Sequence, residues 1–360
     1  MSVKIEDADP KKLEQLAGKL IGDIAGSLGL LLAYMGDRLD LYSALAEISP
    51  ATSEELAKST GLTERYVREW LSSNAAGGYV NYDPASLKFS MTPEQAVIFA
   101  TEGHPACMQG FFQAVMSVFF DEPKMTEVFR SGKGLPWGDH GPCLFTGTER
   151  FFKPMYAASL IGSWIPALHG VREKLEAGAK VADVGCGLGS STILMAQAFP
   201  KSTFHGFDFH AASIEQARER ARSAGVARNT IFEVVTAKEY PGSGYDLVAI
   251  FDALHDMGDP VGAAAHIRST LKDDGTFMLV EPFAGDSLQE NLHPLGQIYY
   301  AFSTTVCVPA SRAQEVGLGL GAQAGQKRLT EVLHQAGFQH VRRATETPTN
   351  IVIEARSRPA

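Results

Sequence analysis

From Lys11 to about Ala33 the apolar residues Leu13, Leu16, Ala17, Leu20, Ile21, Ile24, Leu28, Leu31 and Leu32 recur at steps of three and four. That spacing predicts a long helix with one greasy face and one face of Lys, Glu and Gln. Such a stripe needs a covering surface, and a second subunit is one way to supply it. Leu41 to Ile48 reads as a short helix stopped by Ser49-Pro50. Thr52 with Glu55 forms a capping box for a helix over Glu54 to Ser59, Thr60-Gly61-Leu62 is a turn, and Thr63 caps a second helix over Glu64 to Ser72. Tyr79 to Tyr82 and Leu87 to Ser90, on either side of Asp83-Pro84, read as two short strands. The pattern is a helix-turn-helix with a wing.

Residues 104–175 are largely helical and rich in Phe, Tyr and Trp, with Ser131 to Gly147 expected as a Gly- and Pro-rich loop. After Lys180 strands alternate with helices, which predicts a parallel sheet. The strands are the run entering Val184, then Ser202 to Phe207, Ile231 to Val235, Asp246 to Phe251 and Thr276 to Glu281; the helices are Thr192 to Ala198, Ala211 to Ala224 and Val261 to Leu271. The chain closes on two strands, Phe338 to Thr345 and Asn350 to Arg356, joined by a tight turn.

A length of 360 residues suits about two domains, and 45% hydrophobic with 20% charged residues is ordinary globular composition. No unbroken apolar run approaches the roughly 18 residues of a membrane span, and Met1 to Pro10 lacks a signal-peptide core. A cytoplasmic protein without a membrane partner is therefore expected. A net charge of −9 argues against a partner held through phosphates, and between Ala51 and Ala100 acids outnumber Lys and Arg six to four. No nucleic-acid partner is expected, although a ligand-sensing winged-helix regulator is the reading to test against. The four cysteines are scattered, with neither a disulfide framework nor a thiolate zinc site in their spacing.

The richest chemistry lies at Val181-Ala182-Asp183-Val184-Gly185-Cys186-Gly187-Leu188-Gly189. A strand runs into a glycine turn and then directly into a helix, whose first N–H groups have no internal partner. The next strand ends in Asp208, an acid placed to accept both hydroxyl protons of a ribose. These features alone also fit a dinucleotide site. Against that stand Asp183 inside the strand, which could hold an ammonium group or order the loop, and Ser190 in place of a third glycine. The closing hairpin would add an antiparallel strand to a parallel sheet.

Taken in order, residues 180–357 resemble the class I S-adenosylmethionine-dependent methyltransferases. The resemblance implies an α/β fold with a seven-stranded Rossmann-like sheet and S-adenosyl-L-methionine as cofactor. Asp183, Gly185, Gly187 and Asp208 match the family's first two motifs, and Phe209, Thr236, Ala237, Phe251 and Asp252 fall where its cofactor contacts lie. Thr236-Ala237 departs from the family's frequent Asp-Ala. The domains expected are 1–100 winged helix, 101–175 helical linker and substrate-pocket segment, and 176–360 cofactor domain.

Methyl transfer needs alignment, exclusion of water and, for a protonated acceptor, a base. Leu254-His255-Asp256 resembles the segment of small-molecule O-methyltransferases that carries the general base; by that match His255 is the base and Glu281, ending the fifth strand, orients it. An N- or C-methyltransferase would need no such histidine. Asp252, Asp256, Asp259 and His255 could be read as oxygen and nitrogen ligands of a metal, but acids at a strand-to-helix turn more often cap the helix, so no metal is expected. The segment Phe151 to Tyr156 is expected to shape a pocket for a small, fairly apolar acceptor. The N-terminal part resembles the winged helix of a bacterial group in which this module serves dimerisation, which implies a homodimer.

Overall fold

Asp9 and Pro10 fix where the first helix starts: the Asp9 carboxylate accepts the Lys11 N–H at 2.9 Å, and proline occupies the first turn, where its missing N–H costs nothing. The computed structural model describes residues 5–359. The extreme ends of the first and last expected domains, residues 1–4 and 360, lie outside them. In chain order the elements are α1 (Pro10–Arg38), α2 (Leu41–Ile48), α3 (Ser53–Thr60), α4 (Glu64–Ala76), β1 (Asn81–Asp83), β2 (Lys88–Ser90), α5 (Pro93–Ala100), α6 (Gln109–Phe120), α7 (Glu122–Ser131), α8 (Pro142–Ser159) and α9 (Val171–Ala177). Then follow β3 (Lys180–Val184), α10 (Ser190–Ala198), β4 (Thr203–Asp208), α11 (Ala211–Ser223), β5 (Thr230–Val234), β6 (Tyr245–Phe251), α12 (Pro260–Thr270), β7 (Leu271–Pro282), α13 (Pro294–Phe302), α14 (Val308–Arg312), α15 (Gly325–Gln335), β8 (His340–Glu346) and β9 (Asn350–Arg356).

The chain divides into two compact units, Met1–Met116 with Cys143–Phe151, and Ser117–Pro142 with Phe152–Ala360. Residues 101–175, expected as one helical piece, are thus shared between the two. The expected loop from Ser131 to Gly147 is also shorter than anticipated, because Pro142 opens α8 at its first turn rather than breaking it.

In the first unit the capping box at Thr52 and Glu55 forms as expected, and Gly61 ends α3 at φ 70°. Thr63 stands at the cap position of α4 but its side chain makes no capping bond. Strands β1 and β2 pair antiparallel as the wing. The core gathers Leu41, Leu45, Leu56, Leu71 and Trp70 around Tyr42, whose hydroxyl donates to the buried Asn74. Only the C-terminal end of α1 (Ala33, Tyr34 and Gly36) is buried. Its earlier stripe, including Leu16 (55% exposed), Leu20 (51%) and Ile24 (59%), faces outward. By length and composition α1 is also long and apolar enough to cross a membrane, which counting unbroken apolar residues does not register.

The second unit holds a seven-stranded sheet in the order β5-β4-β3-β6-β7-β9-β8. Pairing is parallel from β5 through β7; β9 runs antiparallel between β7 and β8. Both faces are covered by apolar side chains, one core around Val181, Leu247 and Met278 and the other around Val184, Ile250 and Leu279. That accounts for the near-continuous hydrophobic strands. Strand order turns back on itself at β3, beside β4 on one flank and β6 on the other, the position where open α/β sheets bind ligands.

Asn74 holds the winged helix from within, accepting from Tyr42 and donating to the Trp70 carbonyl at 2.8 Å. Asn74→Ala leaves a buried phenol without an acceptor and should lower stability by about 2 kcal/mol, measured by urea unfolding.

Candidate active site

Strand β3 stops because its chain turns: the N–H groups of Gly185 and Cys186 both donate to the Phe207 carbonyl, at 2.7 and 3.0 Å. Gly185, Gly187 and Gly189 all take positive φ, at 75°, 51° and 79°. A side chain on Gly187 would meet nothing within 4 Å, so the turn exposes bare backbone ahead of α10. Asp183 lies just before it and is 1% exposed. Its Oδ2 accepts the Ser191 and Thr192 hydroxyls, each at 2.6 Å, which ties the strand to the first turn of α10. Of the two roles weighed for Asp183, ordering the loop is not what these bonds do: they reach the helix that follows the loop and not the loop itself. Its Oδ1 is buried with no hydrogen-bond partner, an acceptor suited to a ligand's ammonium group. Burial pushes the Asp183 carboxyl up to about 6.

Asp208 ends β4 and uses both oxygens on backbone, accepting from the Gly187 N–H at 2.9 Å and the His210 N–H at 2.8 Å. A carboxylate fixed this way keeps lone pairs for two vicinal hydroxyls. Its pKa is raised, by burial above all. Phe209 follows and is 54% exposed, which offers its ring as a stacking surface. The Thr236 hydroxyl donates to Glu239 at 2.8 Å, and its oxygen can still accept from an amino group. Ala237 packs half-buried beside it. The glycine turn, the orphaned Asp183 oxygen and the Asp208 carboxylate together fit a nucleoside that carries an amino-acid tail.

At the end of β6, Phe251 is buried among Tyr156 and Trp164, at ring distances of 5.5 and 6.5 Å. Asp252 then reverses the chain at φ 49°, a left-handed conformation unusual for a side-chain-bearing residue. Two donors hold its carboxylate: the Tyr156 hydroxyl at 2.9 Å and the Asn350 amide at 2.7 Å. Burial, then the charge of Glu281, raise its pKa to about 7.

His255 is 4% exposed in a single helical turn, Leu254–Asp256. Glu281, 1% exposed at the end of β7, accepts the Leu254 N–H at 3.0 Å and faces His255 Nδ1 at 2.6 Å. That leaves His255 Nε2 facing Asp256, 3.3 Å from its Oδ1. Burial opposes protonation of the imidazole, but the charges of Glu281 and Asp256 outweigh it and raise the pKa well above that of a free histidine. The expected pair, His255 and Glu281, is therefore brought together within hydrogen-bond distance.

Several neighbours escaped the sequence reading. Cys307, at the end of a π-helical turn between α13 and α14, lies with His255 and Asp256. His140 and Asp121 form a second buried imidazole–carboxylate pair at 2.8 Å, and His140 acts electrostatically on Asp256. Nothing in sequence spacing links these positions. The expected acceptor segment also divides: Phe151 packs on Phe111 in the first unit, whereas Phe152 and Tyr156 stack in the second.

Residues 175–337 match the methyltransferase domain family, and residues 26–101 match the Rv2258c-like winged HTH domain. The chain carries a methyltransferase domain behind a winged helix. The chain is 29% identical over 167 residues, 46% of its length, to 27-O-demethylrifamycin SV methyltransferase of Amycolatopsis mediterranei. This match takes in 56% of that relative, and the chain spans about half the length of the curated relatives it matches. Among solved structures, mitomycin 7-O-methyltransferase has the same fold across 96% of this chain and 99% of its own, at 18% identity and a TM-score of 0.71. Human N-acetylserotonin methyltransferase, solved with S-adenosylmethionine, aligns over 97% and 98% at 15% identity and a TM-score of 0.70.

Asp183 also sets a pH dependence. A buried carboxyl raised from an unfolded value near 4 to about 6 favours the folded state while protonated, and that stability is lost as pH rises through the folded value. Asp183→Asn keeps an acceptor for the two hydroxyls without the charge. Relative to the wild type, it should gain about 3 kcal/mol between pH 4 and pH 7, read from paired urea melts.

Proposed function

We propose that the protein transfers the methyl group of S-adenosyl-L-methionine to a hydroxyl of a small, fairly apolar acceptor, with His255 as general base. The observation that carries this is the buried Glu281–His255 pair at the ends of β7 and β6, beside the glycine turn. The sulfonium of the cofactor supplies an activated methyl group. The chain's own residues do the rest. Asp208 takes the ribose hydroxyls, Asp183 offers Oδ1 to the amino group, and Phe209, Thr236, Ala237 and Phe251 bound the adenosine. Asp252, fixed by Tyr156 and Asn350, closes the site at the methyl end. Glu281 holds His255 by Nδ1, so once the imidazolium that Glu281 and Asp256 favour has lost its Nε2 proton, Nε2 is the atom that takes the acceptor's proton as the oxygen–methyl bond forms. The burial of His255 keeps water from competing for that proton. The O-methyltransferases of similar fold support oxygen as the acceptor atom.

This reading separates from its alternatives in one set of measurements. Calorimetric titration of S-adenosylmethionine should give micromolar affinity that Asp208→Ala abolishes. His255→Ala should retain that affinity yet cut kcat by about 10²- to 10⁴-fold. A mild loss of turnover in His255→Ala would favour an N- or C-methyltransferase. Against a DNA-reading regulator, Arg68 is paired with Glu64 at 2.8 Å and Arg65 with Glu69, which leaves α4 without free cations for phosphates.

The protein works, in this proposal, as a cytoplasmic homodimer in which α1 of each copy covers the stripe of the other. The support is a row of outward leucines and isoleucines on a helix whose polar face carries a Lys19–Asp23 pair. Replacing Leu20 and Ile24 together by Glu should convert dimer to monomer in sedimentation velocity; a dimer that survives the change would remove α1 from the interface.

A further inference from the structure

We propose that His255 Nε2, the Asp256 carboxylate and Cys307 Sγ form a three-ligand site for a zinc-class divalent cation. Occupying that site blocks the nitrogen that takes the proton. The three donor atoms lie within 4.8 Å of one another, and both His255 and Cys307 are buried. A nitrogen, a sulfur and a carboxylate oxygen make a donor set suited to zinc, and three protein ligands leave one position open. Glu281 supports the histidine from behind at 2.6 Å, the carboxylate–imidazole arrangement that orients a metal-bound ring. Asp256 Oδ1 is a buried oxygen with no hydrogen-bond partner, and it faces His255 Nε2.

Charge points the same way. Asp252, Asp256 and Glu281 sit together, and their hydrogen-bond and ion-pair partners among the described residues are Tyr156, Asn350, the Leu254 N–H, His255 and the Cys307 thiol. Among the described residues no lysine or arginine pairs with any of them, and their cationic partner is the His255 imidazolium, whose place the metal ion takes. Carboxylates gathered away from water call for a compensating cation. Cys307 is delivered by a π-helical turn, Ser303–Cys307, and such single-turn expansions inside helices recur at functional sites. On binding, the Cys307 thiol and the His255 Nε2–H each give a proton to solvent as the zinc–sulfur and zinc–nitrogen bonds form. No oxidant or reductant takes part.

The existence of the site is independent of the proposed base; its effect on turnover rests on that reading. Chelator-treated protein titrated with cobalt(II) should develop a thiolate-to-cobalt absorption band, saturate at a single equivalent per chain, and lose the band when zinc is added. Cys307→Ser should abolish the band and Cys143→Ser should keep it. Asp256→Asn should weaken cobalt binding as well, so that a misfolded Cys307→Ser cannot decide the matter alone. Glu281→Gln should retain the band with affinity about 10- to 100-fold lower. No band in the wild type, or one that persists in Cys307→Ser, overturns the site. A band together with full turnover in His255→Ala would instead overturn the base and leave the cation site standing.

Discussion

The Glu281 carboxylate is the contact from which the rest of the active end is hung. It is buried next to the end of β7, and it divides its oxygens between the Leu254 N–H and the His255 imidazole. A turn of three residues has too few internal hydrogen bonds to hold a fixed shape, so the carboxylate sets both where it starts and how its histidine points. Register does the remaining work. Pairing of Phe251 with Val280 brings the end of β6 level with the end of β7, and the histidine reaches Glu281 only from that height.

The closing hairpin contributes chemistry as well as a sheet edge. Its strand β9 lies antiparallel to β7, with Asn350 beside Pro282. That register sends the Asn350 amide to Asp252, which would otherwise carry a left-handed backbone and a buried charge with only a tyrosine to hold it. A sheet that ended in a parallel strand would present a loop there, not the first residue of a strand. The antiparallel pairing and the strained aspartate are therefore parts of one arrangement.

How much of this is legible in the sequence follows from distance along the chain. The glycine turn, Asp183 and Asp208 are read from spacing because each acts on backbone a few residues away or at the end of the adjacent strand. The inner strands are legible because both faces of the sheet are covered there, which leaves short apolar runs between breakers, whereas the edge strand β8 is read only from its place beside the closing turn. Asn350, Cys307, His140 and Asp121 are not, because each meets its partner only through tertiary packing. Local signals fail where they compete: Pro142 has a breaker's composition and a starter's position, and Thr63 stands at a cap without capping. The region between β7 and α15 shows no simple period, since a π-helical turn between α13 and α14 shifts the phase of its apolar side chains.

Helix α1 shows why length and hydropathy do not choose a partner by themselves. It passes both tests for a membrane span, yet Lys19 and Asp23 lie within it, paired one turn apart. Each would cost about 2.5–3.5 kcal/mol near the centre of a bilayer. Burying a leucine against protein returns about 1.5–3 kcal/mol and asks nothing of the opposite face. A one-sided stripe gains most from a one-sided partner, and an identical helix lying across it leaves the charged face in water. In the proposed dimer, it is the amphipathic pattern of α1, more than its mean hydropathy, that a second copy of this chain would use.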